Sequence, residues 1–305
     1  MERRKFRGTY GIVLTPFNED GTVDFSALEH YVKEKADSCH LDGLVVCGST
    51  GEYTRLSFNE NIELMKTVKK ANTGGKQLIF GATAGDSYTA NKYVEAISEL
   101  NPDGILLAPP YYFKLNDEEI LEYYKTVIEN NKADLPIIAY NIPQCTNAVS
   151  VKVFTELMMF PCVKGFKNSW NDMSEITEEM SIRNKHRKDV AMFTGLDSCL
   201  YGTLALGGDG VFSALAYLIP EIISLIYSDY DKNKASFDCQ CDLLELINLI
   251  NRFTFPYGYR VLSEAVGQPL GYGREAVPQN ILQLSKQLLP QMRELIEKIY
   301  DKYIR

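Results

Sequence analysis

The sequence predicts an α/β protein, a (β/α)8 TIM barrel with an appended C-terminal helical region. Three observations predict it: short apolar runs alternate with amphipathic stretches, eight such pairs occur by about residue 230, and only helical patterns follow. We therefore expect residues 1–230 to form a barrel that carries the functional site. Residues 231–305 should form a helical extension that packs on this barrel.

Eight apolar runs are the predicted strands, and each is dense in Val, Ile, Leu or Phe. This composition is typical of parallel strands that are buried on both faces. In chain order the runs are YGIVLT, DGLVVC, QLIFGAT, DGILLAP, LPIIAYN, VKGFK, VAMFTG and DGVFS. The main alternative is an open doubly wound sheet, but the even spacing of the runs and the lack of GxGxxG after the first run favour the barrel.

Helix start signals lie between these strands. Ser57 with Glu60, and Asn116 with Glu119, fit the capping-box pattern ahead of helical stretches. Asp86 precedes a stretch whose apolar residues are spaced for one helical face. After the eighth strand, the stretches FDCQCDLLELINLINRF and NILQLSKQLLPQMRELIEKIYDKYI predict the helices of the C-terminal region.

The composition argues against several classes of protein. The chain has 305 residues, 45% of them hydrophobic, and a net charge of −8, so neither nucleic acid nor an acidic membrane surface is an expected partner. No apolar run reaches the length of about 18 residues that suggests a membrane span, and the first residues lack the apolar core of a signal peptide. The seven cysteines contain no CxxC pair, which predicts reduced thiols and a cytoplasmic location.

Lys167 is an unusual residue for its position. It ends the predicted sixth strand, and alternation places it with Val163 and Gly165 on one face, which should point into the barrel. An isolated lysine is usually a solvated surface residue, but alternation argues for burial here. Removal from water favours the uncharged amine, which can attack a ketone to form a Schiff base. The iminium withdraws electrons from the neighbouring carbon, so a C–C bond can break or form there.

Two other strand ends carry groups that suit this chemistry. Tyr140 ends the predicted fifth strand, so its phenol should lie beside the amine at the carboxyl ends of the strands, where barrel enzymes hold their active sites. Gly48, Ser49 and Thr50 follow the second strand, and the N–H groups and hydroxyls of such a turn can converge on a carboxylate or a phosphate. The alternative for this turn is a plain strand-to-helix connection with capping hydroxyls.

A metal-dependent route has few candidate ligands in this sequence. The histidines are His30, His40 and His186, and none of them ends a predicted strand. We therefore expect neither a metal nor a separate cofactor. The GGDG stretch at residues 207–210 could bind a phosphate, but it fits the turn into the eighth strand equally well.

Several separated motifs occur in an order that resembles a known family. GSTGE follows the second strand, APPYY the fourth and YNIP the fifth, while GFK lies on the sixth strand, GGDGVFS at the eighth and GQPLGYGR near residue 270. Together they resemble the dihydrodipicolinate synthase / N-acetylneuraminate lyase family of pyruvate-dependent class I aldolases, over nearly the whole chain. The resemblance implies a barrel with a C-terminal helical region, assembled as a homotetramer of two dimers.

The resemblance also implies catalytic roles. Lys167 would form the Schiff base with pyruvate or another 2-oxo acid, so that the substrate itself is the covalently bound group. Tyr140 would carry protons to and from the substrate. Tyr112 would reach across a dimer interface to complete this proton relay, in which case a lone subunit would lack part of its site.

Substrate-binding residues follow from the same resemblance. Ser49 and Thr50, with backbone N–H groups of the turn that begins at Gly48, would bind the carboxylate of the 2-oxo acid. Thr50 would belong to the catalytic residues as well. Gly195, which ends the predicted seventh strand, would face the substrate.

The departures from the family pattern concern the second substrate. Resemblance to dihydrodipicolinate synthases would place a carboxylate-binding arginine where this chain has Cys145, and a cysteine does not replace its two donors. Resemblance to sialic acid lyases would place an acidic residue after Asp197, where this chain has Ser198. Ser169 matches a hydroxyl of members that cleave sugar acids. With Phe212, these residues would surround the partner substrate.

The leading hypothesis is a Schiff-base lyase or aldolase that makes or breaks a C–C bond between pyruvate and an aldehyde-bearing partner. A 2-oxo-3-deoxy sugar acid is the expected type of substrate. The first alternative is an authentic 4-hydroxy-tetrahydrodipicolinate synthase or N-acetylneuraminate lyase, despite Cys145 and Ser198. The others are a sugar-acid dehydratase of the same family and a non-catalytic barrel that binds a 2-oxo acid.

Overall fold

The protein forms a closed barrel of parallel strands in a computed structural model that describes residues 6–232 and 234–305. Within these residues eight strands follow one another around the barrel in chain order. They are β1 (Gly8–Ile12), β2 (Gly43–Val46), β3 (Gln77–Gly81), β4 (Gly104–Leu107), β5 (Ile137–Asn141), β6 (Val163–Asn168), β7 (Ala191–Thr194) and β8 (Gly210–Ser213). The predicted fold class is confirmed, and the open doubly wound sheet is wrong.

Helices alternate with these strands, as the sequence predicts. They are α1 (Phe25–Ala36), α2 (Phe58–Ala71), α3 (Ser87–Leu100), α4 (Asp117–Asn130), α5 (Val151–Leu157), α6 (Met173–His186), α7 (Leu200–Ala205), α8 (Ala214–Leu218) and α9 (Pro220–Asp229). Short 3-10 helices, Tyr53–Arg55 and Asp197–Cys199, precede α2 and α7. The chain then continues as α10 (Lys234–Ile250), α11 (Tyr257–Ala265) and α12 (Gln279–Tyr303).

The helices begin where the sequence supplies capping side chains. The Ser57 hydroxyl accepts a hydrogen bond from the N–H of Glu60, whose carboxylate accepts one from the N–H of Ser57. Asn116 and Glu119 form the same reciprocal pair, so both predicted capping boxes are confirmed. Asp86 caps α3 in a similar way. Each cap contributes about 1 kcal/mol to helix stability.

The chain divides into two compact units. Of the described residues, the first unit comprises residues 6–8 and 77–212, and its parallel pairs run continuously from β3 to β8. The second unit comprises residues 9–76 and 213–305. In it β1 pairs with β2 in parallel, and α12 packs against α9, α10 and α11. Within the part of the chain that the structure describes, no helix combines the length and the apolar character needed to cross a bilayer.

Strand β6 contains a bulge near its start. Val163 pairs with Ile137, but the next pair along β5 uses Gly165, so Lys164 is an extra residue on β6. A bulge of this kind interrupts the alternation of side chains. The shared face that alternation predicts therefore holds without interruption from Gly165 to Lys167, but not back to Val163.

Candidate active site

A buried lysine lies near the carboxyl end of β6, in the first unit. Lys167 has 1% of its surface exposed, and Phe166 and Asn168 on either side are also buried. Complete burial is rare for a lysine, whose ammonium group is strongly hydrated. The prediction that this side chain lies inside the protein is confirmed.

The neighbouring strand supplies an aromatic ring for this lysine. Tyr140 of β5 lies opposite Lys167 in the register and is 4% exposed. The Lys167 Nζ atom is 3.8 Å from the centroid of the Tyr140 ring and 6.0 Å from that of Phe212 on β8. The amine therefore lies against aromatic faces, which attract its charged form and shield its free form from bulk water.

The phenol of Tyr140 continues into a further hydroxyl. Tyr140 Oη lies 3.1 Å from Ser169 Oγ, and either oxygen can donate in this hydrogen bond. Ser169 is buried, as are Lys167 and Tyr140. Lys167, Tyr140 and Ser169, called the Lys167 cluster below, thus bring a primary amine together with two hydroxyls that can exchange protons.

Gly195 leaves room for this cluster. It follows β7, and its N–H donates to the carbonyl of Asn168 at 2.8 Å. A Cβ atom at this position would lie 2.6 Å from Cε of Lys167 and closer still to Oγ of Ser169. Any side chain here would therefore displace the two polar groups, and this is the structural reason for a glycine next to the lysine.

The residues that follow Tyr140 and Lys167 form a hydrogen-bond network that sequence analysis missed. Asn141 donates from Nδ2 to Oδ1 of Asn168 at 3.3 Å, and its own Oδ1 accepts from the N–H of Val149 at 3.0 Å. Oδ1 of Asn168 also accepts from the N–H of Trp170 at 2.9 Å. The available signal was an asparagine directly after each candidate catalytic residue, which suits the ends of strands where backbone groups need partners.

The residues predicted to surround the partner substrate occupy different positions in the first unit. Cys145 is exposed, yet the protein around it removes enough water to raise the pKa of its thiol, while the charge of Lys167 acts in the opposite direction. Phe212 is buried, with its ring centroid 4.5 Å from that of Phe193. Asp197 is buried at the start of the 3-10 helix that follows Gly195.

Tyr112 lies in the turn after β4 and is 93% exposed. Its φ angle of +77° is in the left-handed region, which bulky residues rarely adopt. The exposed ring of Phe113 lies edge-on to it, with centroids 5.1 Å apart. The turn after β4 thus carries two aromatic rings that are exposed in the single chain.

The turn predicted to bind a carboxylate belongs to the second unit. The N–H of Gly51 donates to the carbonyl of Gly48 at 3.0 Å, and the Thr15 hydroxyl donates to the carbonyl of Gly51 at 2.6 Å. Thr50 is buried and Ser49 is partly exposed. Among the described residues, no hydrogen-bond partner is found for either of these two hydroxyls.

Glu52 fixes the end of this turn. It has a left-handed φ angle of +62° and is 5% exposed. Its carboxylate accepts hydrogen bonds from Arg55 and, at 2.7 Å, from Nε of Arg260. Arg260 also donates to the carbonyls of Thr15 and Leu270. An ion pair inside the second unit therefore holds the turn, and the sequence alone predicts no role for Glu52 or Arg260.

Comparison with known proteins identifies the family to which the chain belongs. The model of the dihydrodipicolinate synthetase family matches residues 5–299 of the 305 in the chain. This chain belongs to that family. The resemblance that the separated motifs suggested is confirmed.

Individual members of the dihydrodipicolinate synthetase family are similar over most of their length. An uncharacterized DapA-like lyase of Pyrococcus abyssi is 32% identical over 241 residues, which are 79% of this chain and 79% of the relative. The 2-keto 3-deoxygluconate aldolase from Picrophilus torridus has 27% identity and a TM-score of 0.81, covering 88% of this chain and 96% of that one. The dihydrodipicolinate synthase from Cyanidioschyzon merolae has 25% identity and a TM-score of 0.88, covering 96% and 99%.

Membership of the dihydrodipicolinate synthetase family establishes the class of reaction. Its members are class I pyruvate-dependent lyases and aldolases, which hold pyruvate as a Schiff base on a lysine, and this chain is an enzyme of that class. The alternative of a non-catalytic barrel is therefore set aside.

Proposed function

We propose that the enzyme cleaves a 2-oxo-3-deoxy sugar acid, or a similar 2-oxo acid, into pyruvate and an aldehyde through an imine on Lys167. The observation that carries this proposal is the buried Lys167 amine, 3.8 Å from the ring centroid of Tyr140, whose hydroxyl contacts Ser169. An amine in this setting can attack a ketone, and the phenol beside it can move the protons that the reaction requires.

The proposed reaction has four steps. The amine of Lys167 attacks the C2 carbonyl of the substrate, Tyr140 gives its proton to the departing hydroxyl group, and loss of water leaves an iminium and a Tyr140 phenolate. Tyr140 takes the proton of the C4 hydroxyl as the C3–C4 bond breaks, and the bonding electrons move into the iminium, giving an enamine and a free aldehyde. Tyr140 returns the proton to C3, and water then hydrolyses the resulting iminium to pyruvate and free Lys167. The iminium is the electron sink, so the proposed route uses neither a metal nor a separate cofactor.

The carboxylate of the 2-oxo acid is proposed to bind at the turn after β2. The Ser49 and Thr50 hydroxyls have no partner among the described residues, which supports a role for both in binding an anion. Backbone N–H groups of the turn from Gly48 would add further donors. Thr50 is also proposed as a link in the proton relay.

The partner half of the substrate is proposed to be a polyhydroxylated chain rather than a second amino-acid carboxylate. Cys145 offers no bidentate donor for a carboxylate, whereas Ser169 and Asp197 offer hydrogen bonds that suit hydroxyl groups. Phe212 would contact the substrate from β8. The similarity to a 2-keto 3-deoxygluconate aldolase supports this preference.

We propose a cytoplasmic homotetramer built from two dimers, with Tyr112 at the dimer interface. The 93% exposure of Tyr112 and the exposed Phe113 ring beside it support a covered surface. Small-molecule 2-oxo acids and aldehydes are the proposed partners, and the net charge of −8 argues against nucleic acid. The division into a barrel of residues 1–230 and a helical extension of residues 231–305 also remains a proposal.

Borohydride trapping tests the imine directly. Incubation with pyruvate and borohydride should reduce the imine and attach a stable adduct to Lys167, which mass spectrometry of the digested protein would locate. Lys164 is the matched control, because it lies on the same strand but pairs with Asp189 at 3.0 Å in a more exposed position. Lys167→Ala should lose both adduct and turnover, while Lys164→Ala keeps both. An adduct on another lysine, or none, would refute the proposal.

Two further measurements refine the mechanism and the substrate. Tyr140→Phe should lower turnover by at least about a hundredfold while some imine trapping continues, because water can supply the proton for imine formation whereas C3–C4 cleavage depends on the phenolate. A panel of 2-oxo acids, scored for released pyruvate, separates cleavage from dehydration. Adding aspartate semialdehyde with pyruvate tests the dihydrodipicolinate synthase alternative, and N-acetylneuraminate in the panel tests the lyase alternative.

A further inference from the structure

A buried carboxyl group lies next to the Lys167 cluster without taking part in the proposed chemistry. Glu179 on α6 is 0% exposed. Its Oε2 atom accepts a hydrogen bond from Nδ2 of Asn168 at 2.8 Å. Its Oε1 atom is buried and has no hydrogen-bond partner among the described residues. A buried carboxyl with a single neutral partner costs folding free energy, so its presence calls for an explanation.

Asn168 connects this carboxyl to both strands of the cluster. It lies between Lys167 and Ser169 in the chain, and its side-chain oxygen accepts from Asn141, the residue after Tyr140. The backbone of the same region is tied in the same way, because the N–H of Ser169 donates to the carbonyl of Asn141 at 2.8 Å. The Asn168 side chain therefore links the end of β5 to the carboxyl group of Glu179 on α6.

We propose that Glu179 is a positioning residue for the Lys167 cluster, acting through the Asn168 amide on the ends of β5 and β6. When Oδ1 of Asn168 accepts from Asn141, Nδ2 of Asn168 points away from Asn141 and needs an acceptor of its own. Oε2 of Glu179 is that acceptor. The inference rests on the proposed function only for what the cluster does, because the network itself involves no substrate.

The protonation state of Glu179 follows from its surroundings. Burial raises its pKa to about 8, the hydrogen bond from Asn168 acts in the opposite direction, and the negative charges of Glu175 and Glu178 on the same helix raise it further. At neutral pH Glu179 is therefore mostly a neutral carboxylic acid. It can accept from Asn168 without placing an unpaired negative charge beneath the strand ends.

Among the described residues, the groups that act on the Glu179 carboxyl are one neutral amide and two carboxylates. The group that faces Glu179 from β6 is the uncharged amide of Asn168. The cation one turn further along α6, Arg183, donates to the carbonyl of Gly207 and lies 3.8 Å from Asp209. Ionisation of Glu179 would thus leave a buried negative charge stabilised by the hydrogen bond from the Asn168 amide. We expect the amide to change position in response, because it would be attracted more strongly towards α6.

Trp170 provides a readout that needs no substrate. It is the single tryptophan of the chain, and it is 39% exposed. Its backbone N–H donates to Oδ1 of Asn168 at 2.9 Å. A change in the position of the Asn168 amide should therefore shift the backbone of Trp170 and, with it, the surroundings of the indole ring. The fluorescence of Trp170 should report the state of Glu179.

The decisive experiment is a fluorescence titration of the full-length enzyme and three variants between about pH 6 and about pH 9. The wild-type emission should change with a midpoint near the pKa of Glu179, about 8. Glu179→Gln keeps an acceptor but cannot ionise, so its emission should stay constant. Glu179→Leu removes the acceptor, so its emission should differ from wild type at every pH. Glu178→Gln changes an exposed carboxyl on the same helix and should keep the transition, with its midpoint moved to lower pH because one negative charge near Glu179 is gone.

Turnover distinguishes positioning from a merely structural role. Near neutral pH Glu179→Gln should keep kcat within about threefold, while Glu179→Leu should lower kcat by at least about tenfold with a much smaller change in KM. A wild-type enzyme without the fluorescence transition, or a Gln variant as inactive as the Leu variant, would overturn the proposal. If Glu179→Leu does not fold, the titration of Glu179→Gln still decides it. Failure of borohydride trapping in the wild type would refute the proposed function but leave the fluorescence test intact.

Discussion

The space around Lys167 depends on one hydrogen atom, the second Hα of Gly195. A methyl group there would meet Cε of Lys167 at 2.6 Å and come closer still to Oγ of Ser169. Both neighbours belong to the Lys167 cluster and are buried, so neither can move aside without losing a contact. The residue allowed at position 195 is therefore limited by the space beside Lys167 and Ser169.

We expect Gly195→Ala to lower turnover by at least about tenfold and to cost about 1–3 kcal/mol of stability, the usual range for overpacking. The matched control is Gly202→Ala, since a Cβ there lies 3.7 Å from its nearest neighbour, the Met173 side chain, which is an ordinary contact. That helical position should tolerate alanine with unchanged turnover. Steady-state kinetics and urea unfolding of both variants provide the measurement, and equal behaviour of the two would contradict the steric argument.

Single residues were predictable where their chemistry is unusual for their place. Lys167 at a strand end and Tyr140 on the neighbouring strand are rare enough to be found by alternation alone, and the structure puts them in contact. Asn141 and Asn168 were not found, because an asparagine after a strand is equally typical of an ordinary turn. Glu179 was missed because no local pattern predicts a buried carboxyl.

At the scale of elements, helix α6 departs from the amphipathic pattern. Its buried positions are spaced for one helical face, yet two of the four have ionisable side chains: Ile176, Glu179, Met180 and Arg183. Helical periodicity predicts that a face with ionisable side chains points to solvent. The two ionisable residues instead have partners on other elements, Asn168 on β6 for Glu179 and the carbonyl of Gly207 for Arg183.

This buried face makes stability depend on pH. The pKa of Glu179 is about 8 in the folded protein against an ordinary value of 4.5, so between these two pH values the unfolded chain loses a proton that the folded chain keeps. Stability should therefore fall as pH rises across this window and stay level above it, by at most about 1.4 kcal/mol per pH unit. Urea unfolding at pH 5 and pH 8 should show a smaller loss for Glu179→Gln than for wild type. Equal losses would contradict the assignment of a raised pKa.

Elements were predictable where local rules decide them. The eight strands and the capped starts of α2, α3 and α4 follow from composition and from side chains within three residues of each helix start. The bulge at Lys164 does not, because it results from how β6 pairs with β5 rather than from either strand alone.

At the scale of the whole molecule, eight evenly spaced strand–helix pairs without GxGxxG after the first strand favoured a closed barrel over an open sheet, and the barrel is what forms. The order of the motifs along the chain was enough to predict the family. The assembly of subunits does not follow from such patterns along one chain, because the groups that would meet at an interface lie in separate chains. The exposed rings of Tyr112 and Phe113 and the left-handed backbone of Tyr112 are the features of this chain that support one.

Complementation between two inactive variants tests whether Tyr112 acts in a neighbouring subunit. Tyr112→Phe and Lys167→Ala should each be inactive or nearly so, whereas Tyr88→Phe, which changes another exposed tyrosine, should be fully active. In a hybrid dimer, the subunit that keeps Lys167 receives an intact Tyr112 from its partner, so one of its two sites is complete. Equal co-expression makes about half of all dimers hybrid, so turnover should recover to about a quarter of the wild-type value. If Tyr112 acts within its own chain, the hybrid contains no complete site and no activity returns. Recovery near a quarter would therefore establish a shared site, and its absence in a mixed dimer verified by affinity tags would refute it.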